Sequence, residues 1–200
     1  MQVTASPARR LPSADRRQQL LSASEALFTA HGFEAVSMGD IAAALGISRP
    51  TVYSYFASTA DLLSELLEGH LADLERRLVP LLTGTHAQRP LAAIFQLLVG
   101  ERALLTLLGS GSGPTFAARR LAVLAGLEER LSQSLHPPEG RTRTPYLLTC
   151  VTLLLQATAT HAVTAGLSPD QTAQLAGTLE RFINAGLQGL DDEGGPARNL

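Results

Sequence analysis

Between Ser48 and Phe56 the chain reads SRPTVYSYF, a run with one guanidinium, several hydroxyls and no acid. Those groups suit a polyanion with readable edges. An arginine can chelate guanine O6 and N7, while hydroxyls and backbone N–H groups hold phosphate oxygens. At about 100° per residue, Val52 and Phe56 point toward a core. Pro50, Thr51 and Ser54 then point outward, with Tyr53 and Tyr55 on the flanks. Arg49 lies in the first turn, and its length lets it reach the outer surface. The chemistry expected is DNA reading by one helix, spanning 49–56. An ordinary helical hairpin whose polar face is merely solvated has the same spacing.

The elements that position this helix are legible on either side of it. Ser37 is an N-cap with Asp40 three residues on as its capping-box partner. Met38, Ile41, Ala42 and Leu45 then repeat at the spacing of one apolar helical face. Gly46 stands where a left-handed residue ends that helix, because glycine reaches the conformation without a steric penalty. Ser48 caps the next helix, Pro50 falls in its first turn where a missing N–H costs nothing, and Ile47 can staple onto Val52. An earlier helix is predicted from Ser13 to His31, with Leu20, Ser24, Leu27, Phe28 and His31 on one face and Gly32 as its stop. Arg16 and Arg17 sit near its start, where the helix dipole favours acids, which points to a phosphate partner.

Residues 13–68 resemble the DNA-binding domain of the tetracycline-repressor (TetR) family of bacterial transcription regulators. The landmarks are Ala26-Leu27-Phe28, Gly32-Phe33, Ser37-Met38, Ile41-Ala42, Leu45-Gly46-Ile47-Ser48, Thr51 through Phe56, and Ser58 through Asp61-Leu62-Leu63. The resemblance implies DNA contacts from Arg16, Arg17, Ser37, Ser48, Arg49, Pro50, Thr51, Tyr53, Ser54, Tyr55 and Thr59. At Thr59 the family usually has a lysine that holds a phosphate. Here only a hydroxyl is available, so one charge-assisted contact is gone.

Composition narrows the alternatives. The chain has 200 residues, 45% of them hydrophobic and a net charge of −2, ample for a buried core and unlike a general nucleic-acid coat. All 16 basic residues are arginine. No apolar run precedes a cleavage site at the N-terminus, and the most apolar stretch, 144–166, is broken by Gln156, His161 and several threonines. A cytoplasmic protein is expected. His31, His70, His86, His136 and His161 form no pair at metal-binding spacing, so no metal, cofactor or catalytic residue is predicted. His70 is read as a packed core histidine. Cys150, among Leu148, Val151 and Leu153, is expected to be buried and inert.

Along the chain, the predicted architecture is all-α with about nine helices. It divides into a flexible arm (1–12), a three-helix helix-turn-helix domain (13–60), an effector-binding and dimerisation domain (61–190) and a disordered tail (191–200). Ser58 caps a fourth helix over about 59–79, with Leu62, Leu63, Leu66, Leu67, His70, Leu71, Leu74 and Leu78 on a broad stripe. Loops are expected at 83–90 and 136–144. The glycines of 109–114 lack the Lys-Ser/Thr of a phosphate loop and read as a flexible connection. A helix over about 115–135 should bury Phe116, Leu121, Leu124, Leu127, Leu131 and Leu135.

Two tasks fall to the second half. Leu147, Val151, Leu154 and Thr158, continued by His161 and Ala165, make a near-heptad seam over a helix of about 145–166. Leu175, Leu179, Phe182 and Ile183 line the last helix, opened by a Ser168-Pro169-Asp170-Gln171 capping box. Two copies would form a four-helix bundle across a two-fold axis, pairing as the family does. The resemblance also implies a small effector held between helices, for which Phe95, Gln96, Leu98, Arg102, Thr106, Phe116, Arg119, Gln156 and His161 are candidate lining. A mainly apolar lining favours an apolar effector. The expected function is a sequence-specific transcriptional regulator, in the family's commoner mode a repressor, released from a palindromic DNA operator by that effector. The alternative is a helical dimeric interaction or ligand-binding protein with weak or lost DNA binding.

Overall fold

The computed structural model describes residues 13–83, 91–134 and 146–193. Among them the chain forms nine α-helices, one 3₁₀ turn and no strand. The helices are α1 (Ser13–His31), α2 (Met38–Ala44), α3 (Arg49–Tyr53), α4 (Thr59–Thr83), α5 (Leu91–Gly100), α6 (Arg102–Leu108), α7 (Pro114–Ser134), α8 (Leu147–Thr164) and α9 (Pro169–Glu193). The predicted arm 1–12, the loops expected at 83–90 (Thr83 excepted) and 136–144, and residues 194–200 of the expected tail lie outside the described residues. Side chains Leu131 and Leu135 do too.

Local rules fix most boundaries. In α2 the Ser37–Asp40 capping box is complete in both directions. Gly46 has φ 62°. Its N–H donates to the Ala43 carbonyl, and that of Ile47 to the Ala42 carbonyl, so the orphan carbonyls of the last turn are satisfied. Gly166, also at φ 62°, ends α8 the same way through Val163 and Ala162. Ser58 caps α4 by accepting from the Asp61 N–H at 3.1 Å. Ser168 and Gln171 cap α9 reciprocally.

Several expectations are corrected. The reading helix stops at Tyr53, and 54–56 form one further turn in which Tyr55 N and Phe56 N both donate to the Val52 carbonyl. A 3₁₀ turn, Phe33–Ala35, joins α1 to α2. α4 runs on past Pro80 to Thr83. α9 continues to Glu193, into the stretch read as tail. Leu121 is 61% exposed, because α7 buries Phe116, Val123 and Leu127, and Leu121 falls well off that face. Cys150 is exposed rather than buried.

One apolar core runs through the protein. α4 is its spine: Leu62, Leu63, Leu66, Leu67, Leu71, Leu74 and Leu78 are all buried along it. At one end α4 packs on α1, and along its length on α7. His70 is not a core residue. Its Nε2 lies 2.7 Å from Glu25 Oε1 of α1, and both side chains are about a quarter exposed. Arg77 Nη1 lies 2.6 Å from Glu101 at the corner between α5 and α6, which meet at 76°.

The loop between α6 and α7 is the largest departure from expectation. Instead of a loose connection, it grips the 3₁₀ turn. Phe33 N donates to the Ser110 carbonyl at 2.7 Å. Glu34 Oε1 accepts from the backbone N–H groups of Ser112 at 3.0 Å and Gly113 at 2.6 Å. Those bonds, with Gly113 first, hold the Glu34 carboxyl below the ordinary carboxylate range. The glycines permit this closeness: a Cβ at Gly111 would lie 2.7 Å from the Phe116 ring, and one at Gly113 2.9 Å from Glu34. Beside the loop, the rings of Phe28, Phe33 and Phe116 form a ladder with centroids 5.3 and 5.6 Å apart.

Candidate nucleic-acid interface

α3 is held by its base and open along its outer side. Val52 is fully buried and Phe56 nearly so, while Ser48, Arg49, Pro50, Tyr53 and Ser54 are exposed. Ser48 Oγ accepts from the Thr51 N–H at 3.3 Å, a cap whose loss typically costs ~1 kcal/mol. α2 packs directly on α3, and exposed Ser37 begins α2.

Phosphate oxygens only accept, so the spare donors on this surface decide what it can hold. Ser37 Oγ already donates to Asp40 at 2.6 Å, and Ser54 Oγ to the Thr51 carbonyl at 2.7 Å. Ser48 Oγ and Thr51 Oγ1 are 2.8 Å apart, so one of the two hydrogens is used internally. The available donors are therefore the Arg49 guanidinium, the Tyr53 hydroxyl and one of the Ser48–Thr51 pair. Tyr53 is 56% exposed. Tyr55 is half-buried against the core. Thr59, half-buried, opens α4.

The two arginines of α1 separate. Arg16 is half-buried and reaches Gln19 at 3.0 Å. Arg17 is engaged internally: Nε donates to Glu65 Oε1 at 2.8 Å and Nη2 bonds the other oxygen. Its Nη1 donates to the Tyr55 carbonyl at 3.2 Å, and the group stacks 4.3 Å over the Phe56 ring. The free phosphate ligand expected at Arg17 is thus a clamp between α1, α4 and the turn after α3. Nothing local in the sequence signals it, because Glu65 is 48 residues away.

An acid also stands closer to the reading surface than the sequence of α3 suggests. Arg49 folds back over α2 and lies against Gly39. The Asp40 carboxyl is held below its ordinary range first by the Ser37 hydroxyl, next by the Ser37 N–H, and further by the Arg49 charge.

The residues expected from sequence to line an effector site do not converge. Phe95 and Phe116 are core side chains, each 1% exposed, and Phe116 packs on Phe33. Gln96, Arg102, Thr106, Arg119 and His161 face outward. Arg119 lies 3.5 Å from Asp61, and Thr106 Oγ1 donates to the Arg102 carbonyl. Only Leu98 and Gln156 remain half-buried on helices that pack together, α5 and α8. Reading a pocket from one helix at a time misplaced the polar members, since helical spacing does not say which neighbour covers a face.

The dimer residues divide in the same way. Leu179 and Ile183 are buried within the protomer, and Leu175 packs on its core. Leu147, Val151, Leu154 and Thr158 are half-buried on the flank of α8, whose inward face is Leu155, Ala159 and Ala162. Outward stand Leu153 at 51% and Phe182 at 68% exposure. α8 has a mean hydropathy of 1.4 yet only 17% of it is buried.

A short hydroxyl-rich helix, capped by serine and braced on a second helix across a glycine turn, is a helix-turn-helix, and the protein is a DNA-binding transcriptional regulator of that class. Residues 20–66 match the profile of the family described as bacterial regulatory proteins, tetR family. That match makes residues 20–66 similar to the DNA-binding domain of that family. It is 38% identical over 65 residues to the transcriptional activator FasR of Mycolicibacterium smegmatis, a match covering 32% of this chain and 30% of that protein. It is 25% identical over 179 residues to an uncharacterised helix-turn-helix regulator of Mycobacterium tuberculosis, covering 86% and 94%. Among solved structures, a TetR-like regulator from Rhodococcus superposes with a TM-score of 0.63 at 24% identity, over 90% of this chain and 100% of that one.

Proposed function

We propose that the protein is a homodimeric repressor that binds an inverted-repeat operator through residues 13–60 and releases it when a small, mostly apolar effector binds within 61–190. The observation that carries the DNA half is the outer face of α3, where Arg49, Tyr53 and the Ser48–Thr51 pair offer donors on an exposed helix. Arg16, Tyr55 and Thr59 border it with further donors for the phosphates, and Ser37, Pro50 and Ser54 complete the surface that lies against the DNA.

The dimer reading is supported by α8, an apolar helix that its own protomer leaves largely uncovered, with Leu153 and Phe182 outermost. A second copy buries those side chains and sets two α3 helices on successive grooves. Half-sites about a helical turn or more apart follow from that symmetry. The effector reading rests on the packing of α5 against α8, two helices on which Leu98 and Gln156 are half-buried. Among proteins of similar fold, a Bacillus subtilis FadR was solved with stearoyl-CoA. A regulator of this kind acts in the cytoplasm.

The test is selection of binding sites from random duplex DNA, followed by retardation with and without a ligand found by thermal-shift screening. An inverted repeat, bound by a dimer and released by a ligand, is the expected outcome. Selection that returns no common sequence would end the operator reading.

A further inference from the structure

Gly39 is the second residue of α2, and nothing about the backbone there calls for glycine. Among the described residues the glycines at positive φ are Gly32, Gly46 and Gly166, and alanine is the better helix residue. What its missing side chain does is make room. A Cβ at this position would lie 2.6 Å from Arg49 Nη2 and 2.8 Å from both Cζ and Nε. The whole guanidinium therefore rests on the bare Cα of Gly39. Asp40, the next residue, supplies the opposite charge, and its carboxylate is itself fixed by the Ser37 hydroxyl and N–H.

We propose that Gly39 is a specificity-determining residue: by leaving this notch it confines Arg49 to the edge of α3 that faces α2, and so sets which position of the operator Arg49 addresses. The inference rests on α3 as the DNA-reading helix. An arginine side chain free in solution samples many rotamers, and a bidentate pair with a base tolerates few. Any Cβ at residue 39 drives the guanidinium out of the notch by about an ångström, taking 3.4 Å as ordinary contact. The displaced atoms are the far end of a flexible side chain, so the fold does not resist. The change reaches the DNA through Arg49 alone.

Binding-site selection on wild type, Gly39→Ala, Arg49→Ala and the double variant tests this, with affinities measured on the selected site and on each single-base change. Gly39→Ala should keep or raise the thermal midpoint. It should alter base preference at the same position per half-site where Arg49→Ala relaxes it, changing discrimination there by roughly tenfold. In the Arg49→Ala background, Gly39→Ala should change nothing. The proposal is overturned if Gly39→Ala selects the wild-type sequence with wild-type discrimination, if its effect persists without Arg49, or if Arg49→Ala weakens all sequences equally. A wild-type protein that selects no sequence would instead remove the underlying reading of α3.

Discussion

Replacing Phe116 by alanine tests how the DNA-binding unit is attached to the rest of the protein. The ring is 1% exposed, packs on Phe33 with centroids 5.6 Å apart, and has the backbone of Gly111 pressed against it. A buried Phe→Ala change removes the transfer energy of the ring and leaves a cavity, together about 3–5 kcal/mol. At about 2–4 °C per kcal/mol for a chain of this size, the thermal midpoint should fall by roughly 6–20 °C. The damage should also be directional. Phe33 N–H donates to the Ser110 carbonyl, so its hydrogen exchange should accelerate more than that of α8 amides. Phe116→Leu, which retains most of the apolar volume, should lose well under half as much. Equilibrium denaturation with residue-resolved exchange reads both quantities. A loss below about 1 kcal/mol with unchanged exchange at Phe33 would mean that Phe116 is not the anchor described here.

Arg49→Ala should weaken binding to the selected operator by about 1–3 kcal/mol and relax one base pair per half-site; titration against single-base variants checks it, and a uniform loss would make Arg49 a phosphate contact. Leu153→Arg combined with Phe182→Arg should yield monomers in sedimentation velocity, because each places an unpaired charge in the expected seam, at a cost of several kcal/mol; a dimer of normal stability would locate the interface elsewhere. Leu154 is a poorer probe, since it packs on its own protomer's core. The lowered pKa of Glu34 gives a pH signature. Its contribution is fully present above the unfolded carboxyl's value, about 4.3, and fades as pH falls through the lower folded value. Thermal midpoints of wild type and Glu34→Gln should therefore converge in acid, and parallel curves would contradict the Glu34 bond.

What the sequence made legible was whatever a few neighbouring residues decide. Ser37 with Asp40, Gly46, Ser48 before Pro50, and Ser168 with Gln171 each encode a helix end, because cap and turn chemistry is local. The outer face of α3 followed from helical periodicity once Val52 and Phe56 were set inward. Side-chain ties between distant segments were not legible. Arg17 with Glu65, Glu25 with His70, and Glu34 with Ser112 and Gly113 span 45 to 79 residues. No pattern in the sequence says which of several acids meets which donor. Leu121 was a misreading of periodicity itself, since it lies off the face of Phe116, Val123 and Leu127, whereas the effector candidates scatter because periodicity gives faces but not the partner that covers each one.

The Glu34 bond bears on how such regulators can be recombined. The two amides just ahead of α7 find their acceptor on the 3₁₀ turn of the DNA-reading unit. The first 60 residues are therefore not a free cassette. A chimera that grafts another protein's reading head onto this body brings a different residue to the place of Glu34, and unless that residue is an acid of the same reach, α7 begins with bare donors. The reverse transplant is strained in turn, because a side chain at 111 would press on the Phe116 ring and one at 113 would displace the Glu34 carboxylate. The acid and its glycine cradle form a compatibility key, and grafts that carry both halves across together should retain the junction.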